Sequence, residues 1–425
     1  MLKTNNVVIC RQWIYLATCA IACSGLLSII VIFLRLPFIS SLILSSQNIF
    51  DNALVIHVNL SILVWMCSVI SLLFIINLQN TNNWFNFLLI LSIFSAFLIF
   101  VSAFFSDTEI IKSNYIPISQ NKLFLFGLGL FIISTFINII LSYISNKHVS
   151  YFSIGQTGLI ITFISSLLCF ILAYRNMPPD LYYSNKNSFY EYLFWGGGHL
   201  LQFVFVQGMF LVYLIILDSN INLVLNKKTV ILLLFTNVIL SITGPLIYLI
   251  YPIDSIKLME FFVWHMKIAG AIFICILIIL VCFNIKTILS KENYLLHSFI
   301  LFTYGCILGT LTIEGNIIIP AHYHGCIVGI TIAFMNFIYW LLPKLGCKTI
   351  QNSVIKLQIY LYSLGHFLHI TSLAWLGGYG TLRKVAALPN ISSILSRICF
   401  IIGGTTSLIG GMLFVIIVLS SLLRR

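Results

Sequence analysis

The sequence predicts an all-α polytopic membrane protein with about twelve transmembrane helices. Of its 425 residues, 60% are hydrophobic and only 8% are charged, and the mean hydropathy is +1.08. This composition leaves too little polar surface to enclose a water-soluble fold, so lipid must solvate most of the chain. Apolar runs long enough to cross a bilayer recur almost from end to end. Each run must be a helix, because a helix satisfies its own backbone hydrogen bonds in hydrocarbon.

The predicted helices form a single transmembrane domain over residues 1–425. Because the first apolar run is too long for a cleaved signal segment, we treat it as a retained helix. The predicted spans are 13–36, 52–78, 84–105, 121–145, 153–174, 190–217, 229–252, 259–284, 292–315, 319–343, 354–379 and 393–423.

The distribution of charge predicts the orientation of these helices. Loops on the cytoplasmic side of a membrane collect Lys and Arg. The N-terminal segment and the even-numbered loops carry 12 basic residues, against the acidic residues Asp218 and Glu292. Nearly all other acidic residues fall on the opposite side. We therefore expect both termini to be cytoplasmic, and we interpret the net charge of +12 as a topological signal, with no nucleic-acid partner.

Seven of the nine histidines form a layer inside the predicted spans. An ionisable side chain in a span needs a partner such as a metal, another polar group or a hydrated cavity. For a single intramembrane histidine, a hydrogen bond between helices is the simpler interpretation. Seven at similar depth favour metal ligation instead, and imidazole is a common axial ligand of heme iron. The layer comprises His57, His199, His265, His322, His324, His366 and His369.

The strongest local motif is Pro-Ala-His-Tyr-His-Gly over residues 320–325, at the outer end of span 10. On a helix, residues two apart point about 200° apart, so His322 and His324 face opposite sides and can each hold a different heme. In this motif the chain resembles subunit I of the heme-copper oxidases. The resemblance implies that His322 is the axial ligand of a high-spin heme and His324 that of a low-spin heme.

Spans 2 and 6 carry further segments that resemble the same family. His57, near the start of span 2, matches the second axial ligand of the low-spin heme. In span 6, Trp195 to His199 read Trp-Gly-Gly-Gly-His and match a Trp-x-x-Gly-His segment whose histidine binds copper. The resemblance therefore places Trp195 and Gly198 beside a cofactor. Simple helix packing is an equally good interpretation of the three glycines.

A basic pair, Arg383 and Lys384, follows span 11 on the predicted outer side. It resembles the pair with which the family binds heme propionates through charge-assisted hydrogen bonds. The alternative is a basic pair whose long side chains extend to the membrane surface. His366 and His369 share one face of span 11, where they would either line the heme pocket or bridge to a heme propionate.

The predicted reaction centre departs from the family. The resemblance implies three copper ligands, one on helix 6 and an adjacent pair at the end of helix 7, yet span 7 has no histidine. The family's Tyr and Glu that follow the helix 6 histidine are replaced by Phe203 and Leu201. Copper is therefore a doubtful third cofactor beside two hemes, with His199, His265 and a softer donor such as Met266 as its candidate ligands.

One lysine in span 8 has two interpretations. Lys267 corresponds to a lysine that delivers protons to the active site in part of the family. Alternatively, its long side chain extends to the membrane surface or pairs with Glu260.

The resemblance implies a subunit of a respiratory terminal oxidase in a bacterial-type inner membrane, with the heme side facing outward. Electrons would pass through the bis-histidine heme to the second heme, where oxygen is reduced. Its partners would be membrane lipid, further oxidase subunits and a cytochrome or copper-protein electron donor. Three alternatives stay open: a nitric oxide reductase, a heme protein without oxidase turnover (an electron conduit, sensor or assembly factor), and a secondary transporter, although no repeat symmetry between the halves is evident.

Overall fold

The computed structural model describes residues 4–34, 42, 46–78, 82–105, 108–146, 151–220, 227–289, 294–312, 316–378 and 394–423. We number its long helices in chain order. They are α1 (Thr4–Leu34), α2 (Ser46–Ile75), α3 (Asn83–Val101), α4 (Lys122–Ser145), α5 (Tyr151–Arg175), α6 (Lys186–Asn220), α7 (Lys227–Ile247), α8 (Ile256–Phe283), α9 (Leu295–Thr310), α10 (Ile318–Lys344), α11 (Asn352–Gly378) and α12 (Ile394–Leu423).

Ten of the described helices are long and apolar enough to cross a membrane. The exceptions among the long helices are α9, which is apolar but has only 16 residues, and α11, which has 27 residues but lies outside that set. The predicted all-α polytopic membrane architecture is confirmed. The count of twelve spans stays a prediction.

The first helix begins well before the predicted start at residue 13. Polar residues near its N-terminus are accommodated because loop carbonyls accept their hydrogen bonds. The Arg11 guanidinium donates to the carbonyl of Leu345 at 2.6 Å, and the Asn6 amide donates to the carbonyl of Leu78. The end predicted for span 7 at residue 252 was also wrong, because α7 ends at Ile247 and turns follow.

Side-chain caps explain where several other helices begin. The side chain of Asn121 accepts a hydrogen bond from the backbone N–H of Leu123 at 2.8 Å, at the start of α4. Asn82 and Ser255 cap α3 and α8 in the same way. Each cap satisfies one of the backbone N–H groups that a helix leaves without an internal partner. The start of α4 falls within one residue of its prediction.

Three helices form the centre of the bundle. In the most apolar stretch of α2, α6 and α10, 83%, 89% and 83% of the residues are buried, against 33–50% in the other spanning helices. The outer helices expose large apolar side chains, such as Phe87, Ile90 and Phe94 on α3, which is the surface that lipid covers. His57, His199 and the His322–His324 motif all lie on the three central helices.

Helices α9 and α10 are in backbone contact. A Cβ atom at Gly305 would collide with the backbone of Gly325 and Cys326, and one at Gly329 with the backbone of Phe302. Small residues at such positions let two helices approach closely in a membrane. This approach brings the carbonyl groups of α9 within reach of the histidine motif on α10.

A small hairpin lies between α3 and α4. Its strands, β1 (Ile110–Ile111) and β2 (Ile118–Ser119), pair antiparallel with Ile110 opposite Ser119. Two contacts join the 110–119 hairpin to α2: Lys112 forms an ion pair with Asp51 at 2.7 Å, and the Asn59 amide donates to the carbonyl of Pro117 at 2.8 Å. The hairpin is therefore fixed to a central helix.

A π-helical turn interrupts α2 at Asn59–Val64. It begins two residues after His57, and the hydroxyl of Ser61 donates to the carbonyl of His57 at 2.7 Å. Single π-turns inside α-helices are frequent at functional sites. This turn is a local irregularity next to a candidate ligand.

Candidate functional site

The two histidines of the α10 motif are each hydrogen-bonded through Nδ1 to a backbone carbonyl. Nδ1 of His322 lies 2.7 Å from the carbonyl oxygen of Gly305, and Nδ1 of His324 lies 2.8 Å from that of Pro320. A carbonyl oxygen only accepts, so Nδ1 must be the protonated nitrogen in each ring. Nε2 then carries the lone pair, as required of an imidazole that binds a metal through Nε2.

His324 belongs to a group that we call the first histidine cluster: His57, His324, His366 and His369. The rings of His324 and His369 are 5.8 Å apart. His366 interacts electrostatically with the other three histidines. The cluster brings together α2, α10 and α11, and all four side chains are half-buried.

His57 is held by a single residue of α1. Its Nδ1 lies 3.0 Å from the carbonyl oxygen of Ser24 and 2.8 Å from the Ser24 hydroxyl. The carbonyl contact again gives the tautomer with the lone pair on Nε2. Ser24 is buried and also donates from its hydroxyl to the carbonyl of His57 at 3.1 Å. This residue orients the candidate ligand.

His322 belongs to a different group, which we call the second histidine cluster: His199, His265 and His322. His199 interacts electrostatically with both other members. The ring of His322 packs against Gly309, where a Cβ atom would lie 2.7 Å from it. His322 is half-buried, whereas His199 and His265 are only 2% and 8% exposed.

Both ring nitrogens of His199 have partners inside the protein. Nδ1 lies 2.7 Å from the carbonyl of Trp195, and Nε2 lies 2.6 Å from the hydroxyl of Tyr115 in the 110–119 hairpin. The rings of Tyr115, Trp195 and Phe262 surround it, with centroids 4.4, 5.0 and 5.4 Å away. Aromatic side chains therefore enclose the predicted copper ligand.

His265 is hydrogen-bonded through one of its two ring nitrogens. Its Nε2 lies 3.0 Å from the carbonyl of Leu240 and 3.2 Å from the hydroxyl of Thr243. Its ring stacks on Phe261 with centroids 5.3 Å apart. Nδ1 is buried and has no hydrogen-bond partner among the described residues.

The three glycines before His199 make room for side chains. A Cβ atom at Gly196 would collide with Tyr248 and Phe262, one at Gly197 with Phe170, and one at Gly198 with Tyr115. The glycines therefore permit the close approach of neighbouring side chains, and contact of Trp195 and Gly198 with a cofactor stays a prediction. Trp195, for its part, donates from its indole N–H to the carbonyl of Met259 at 3.2 Å.

The remaining candidate site residues are three basic residues, Arg383, Lys384 and Lys267. Arg383 and Lys384 lie outside the described residues. Lys267 interacts electrostatically with His322, and its ammonium group lies 5.5 Å from the Trp264 ring. Within the part of the chain that the structure describes, Lys267 and Glu260 form no ion pair.

Heme fits the residues of both clusters. His57, His322 and His324 each combine an anchored Nδ1 with a side chain that is only half-buried. In the first cluster, Nδ1 of His366 is buried without a hydrogen-bond partner in the described chain. A buried polar atom of this kind requires a partner, which a heme substituent or water would supply.

Copper does not fit the second cluster. A ligand histidine must offer a nitrogen lone pair, and both nitrogens of His199 are already in hydrogen bonds. Among the described residues, no group of three or more His, Cys, Asp or Glu side chains is arranged to hold a metal ion.

Two residues of the site were not identified from the sequence. Ser24 lies on α1 and Tyr115 on the hairpin, and both reach their histidines only through tertiary packing. No local sequence signal marks either residue, since the φ of 68° at Tyr115, which is rare for a residue with a side chain, is visible only in the structure.

Comparison with known proteins agrees with the all-α membrane fold. The family described as "Cytochrome C and Quinol oxidase polypeptide I" matches residues 8–413. A relative named "Uncharacterized protein RP382" from Rickettsia prowazekii (strain Madrid E) is 31% identical over an alignment of 492 positions, covering 98% of this chain and 96% of the relative. An "Uncharacterized protein" from Aquifex aeolicus (strain VF5) is 27% identical, covering 79% of this chain and 84% of the relative.

The family match extends over nearly the whole chain, and so includes α2, α6 and α10 with their histidines. It agrees with the apolar helices that make the protein an integral membrane protein. This chain therefore belongs to the family of subunit I of the heme-copper oxidases.

Proposed function

We propose that this protein binds two hemes and passes electrons from a bis-histidine iron, held by His57 and His324, to a second iron held by His322. Oxygen is the proposed acceptor at the second iron. The observation that carries the proposal is the division of the α10 motif. His322 and His324 are two residues apart, yet they join different histidine clusters.

The two clusters suit two different roles. An iron with two histidine ligands has no open position, so it carries electrons, whereas an iron with one histidine keeps a face for a small ligand. Heme supplies the redox chemistry when bound. Ser24 and the carbonyl of Pro320 orient the rings of the first cluster, and the carbonyl of Gly305 orients His322.

The surroundings of the site support a membrane electron-transfer role. The charge distribution predicts that the basic loops face the cytoplasm and that the histidine clusters lie toward the outer side. Electrons would then enter from a cytochrome or copper protein on that side, in an assembly with further oxidase subunits. When heme is bound, Arg383 and Lys384 would pair with its propionates.

A second candidate function is heme-based electron transfer without oxygen reduction. The observation that favours it is the hydrogen bonding of both His199 nitrogens, which leaves the second cluster without a copper ligand set. Such a protein would be an electron conduit, a sensor or an assembly factor. Carbon monoxide binding and oxygen consumption distinguish the two candidates.

The first test is heme analysis of the purified protein, with reduced-minus-oxidised spectra before and after carbon monoxide. We expect two hemes, one of which binds carbon monoxide. The variants H57A and H324A should each remove the low-spin signal, and H322A should remove carbon monoxide binding. Oxygen consumption with an artificial electron donor then separates turnover from simple electron transfer.

His297 provides the matched control. It lies near the start of α9, where its Nδ1 contacts the hydroxyl of Ser363 at 2.8 Å, and it belongs to neither cluster. H297A should keep both signals. If H324A and H297A have the same heme content and spectra, the bis-histidine proposal is wrong, and a protein without heme would contradict the proposed function as a whole.

A further inference from the structure

The 110–119 hairpin places a phenol where a metal would have to bind. The hydroxyl of Tyr115 lies 2.6 Å from Nε2 of His199. Since Nδ1 of His199 donates to the carbonyl of Trp195, Nε2 is the acceptor nitrogen and Tyr115 must be the donor. The hydrogen bond therefore uses the one lone pair through which His199 could ligate a metal.

The turn that carries Tyr115 is locally constrained. Tyr115 has a φ of 68°, in the left-handed region that costs a residue with a side chain free energy. The backbone N–H of Ile116 donates to the carbonyl of Asn114 at 2.9 Å, and the Ser113 hydroxyl donates to the carbonyl of Ile116 at 2.5 Å. Surrounding contacts must hold this conformation in place.

Those contacts come from α6, the helix that carries His199. Glu191 accepts hydrogen bonds from the backbone N–H of Asn114 at 2.9 Å and from the Asn114 side-chain amide. Two turns further along α6, Gly198 provides the space that the Tyr115 side chain occupies. Helix α6 thus holds the turn through Glu191 and leaves space for the Tyr115 side chain at Gly198.

We propose that the Tyr115–His199 pair takes the place of copper beside the heme held by His322, so that the second cluster works without copper. The proposal rests on the proposed function for the heme at His322, but its first test does not. The Nε2 of His265 is bonded to Leu240 and Thr243, so this residue could offer only its Nδ1, and a single histidine nitrogen does not make a copper site.

The first experiment measures copper directly. The full-length protein is produced with excess copper, purified in detergent, and analysed for copper and iron beside H199A. We expect the copper content of the wild type to equal that of H199A, which lacks the imidazole. A stoichiometric copper that is lost in H199A would overturn the proposal. This result is readable whether or not heme is bound.

The second experiment asks whether the phenol faces the heme on His322. The infrared stretching frequency of carbon monoxide on the reduced heme responds to nearby polar groups. We expect Y115F to shift this frequency, because Phe keeps the ring but removes the hydroxyl. An unchanged frequency in Y115F would contradict the placement of the pair beside that heme.

Tyr248 gives a matched control for the second experiment. It is buried next to Gly196 and Phe262, and its hydroxyl makes no hydrogen bond to His199. Y248F should leave the frequency unchanged. If no heme is present in any variant, the proposed function fails, while the copper measurement still decides whether Tyr115 and His199 exclude the metal.

Discussion

The two histidine clusters differ in how their imidazole rings are hydrogen-bonded and buried. In the first, His57 and His324 have one nitrogen anchored by a backbone carbonyl and are only half-buried. In the second, His199 is enclosed, and both of its nitrogens are bonded within the protein. The comparison shows that a histidine whose two nitrogens are both bonded, as in His199, must lose one of those bonds before it can ligate a metal.

The largest effect is expected when Gly198 is changed to Ala, which would displace the Tyr115 side chain. The added methyl group would collide with the Tyr115 side chain. We expect a loss of about 1–3 kcal/mol in the free energy of unfolding, typical of overpacking. Denaturant titration in detergent measures it. The carbon monoxide frequency should shift as in Y115F.

Gly129 on α4 is the matched control, because a Cβ atom there would have no neighbour within 4 Å. G129A should be neutral, or more stable by about 0.5–1 kcal/mol, since alanine restricts the unfolded chain. Equal destabilisation by G198A and G129A would mean that Tyr115 does not occupy the space beside Gly198.

A smaller effect is expected when Glu191 is changed to Gln. Glutamine has only one acceptor oxygen, whereas Glu191 accepts from both the backbone and the side chain of Asn114. We expect a loss of about 1–2 kcal/mol, since a partly buried charged acceptor is removed. Thermal unfolding in detergent gives the measurement.

Glu109 serves as the comparison for Glu191. Its side chain is 50% exposed, and it pairs with Lys186 at 2.6 Å. Exposed ion pairs contribute about 0–1 kcal/mol, so E109Q should change stability less than E191Q. The reverse order would show that Glu191 does not hold the Tyr115 turn.

The smallest effect concerns the first cluster. S24A removes the hydroxyl contact to His57 but keeps the carbonyl contact, so we expect a loss of about 1 kcal/mol, or about fivefold in the affinity for the low-spin heme. Heme transfer to an acceptor protein measures it. S28A is the control, because the Ser28 hydroxyl donates to the carbonyl of Gly25 and, among the described residues, bonds to no histidine. An equal effect of both changes would rule out a specific role for Ser24.

The sequence was sufficient for the features that depend on nearby residues. Hydropathy identified most helices to within a few residues, and the His-x-His spacing predicted that His322 and His324 separate. It was insufficient where partners come from distant segments. Nothing in residues 110–119 indicates that Tyr115 meets His199, because that contact depends on how the hairpin packs on α6.

The start of α1 was missed for a related reason. Arg11 reads as the polar flank of a span, but the carbonyl of Leu345, from the far end of the chain, accepts its hydrogen bond and lets the helix continue. For the candidate copper ligand His199, a distant partner has the opposite effect. Residue type and position made His199 a candidate, whereas its availability depends on a tertiary neighbour that hydropathy and spacing do not encode.

The π-turn of α2 accommodates an extra residue beside His57. A π-turn contains one residue more than the α-helical turn it replaces. Each residue of an α-helix advances by about 100° around the axis, so the same extra residue in a regular α-helix would rotate His57 by about that angle relative to the rest of α2. Because the π-turn holds the extra residue within a single turn, the residues on its two sides keep the relative direction they would have in an uninterrupted helix, and the irregularity stays confined to the segment beside His57.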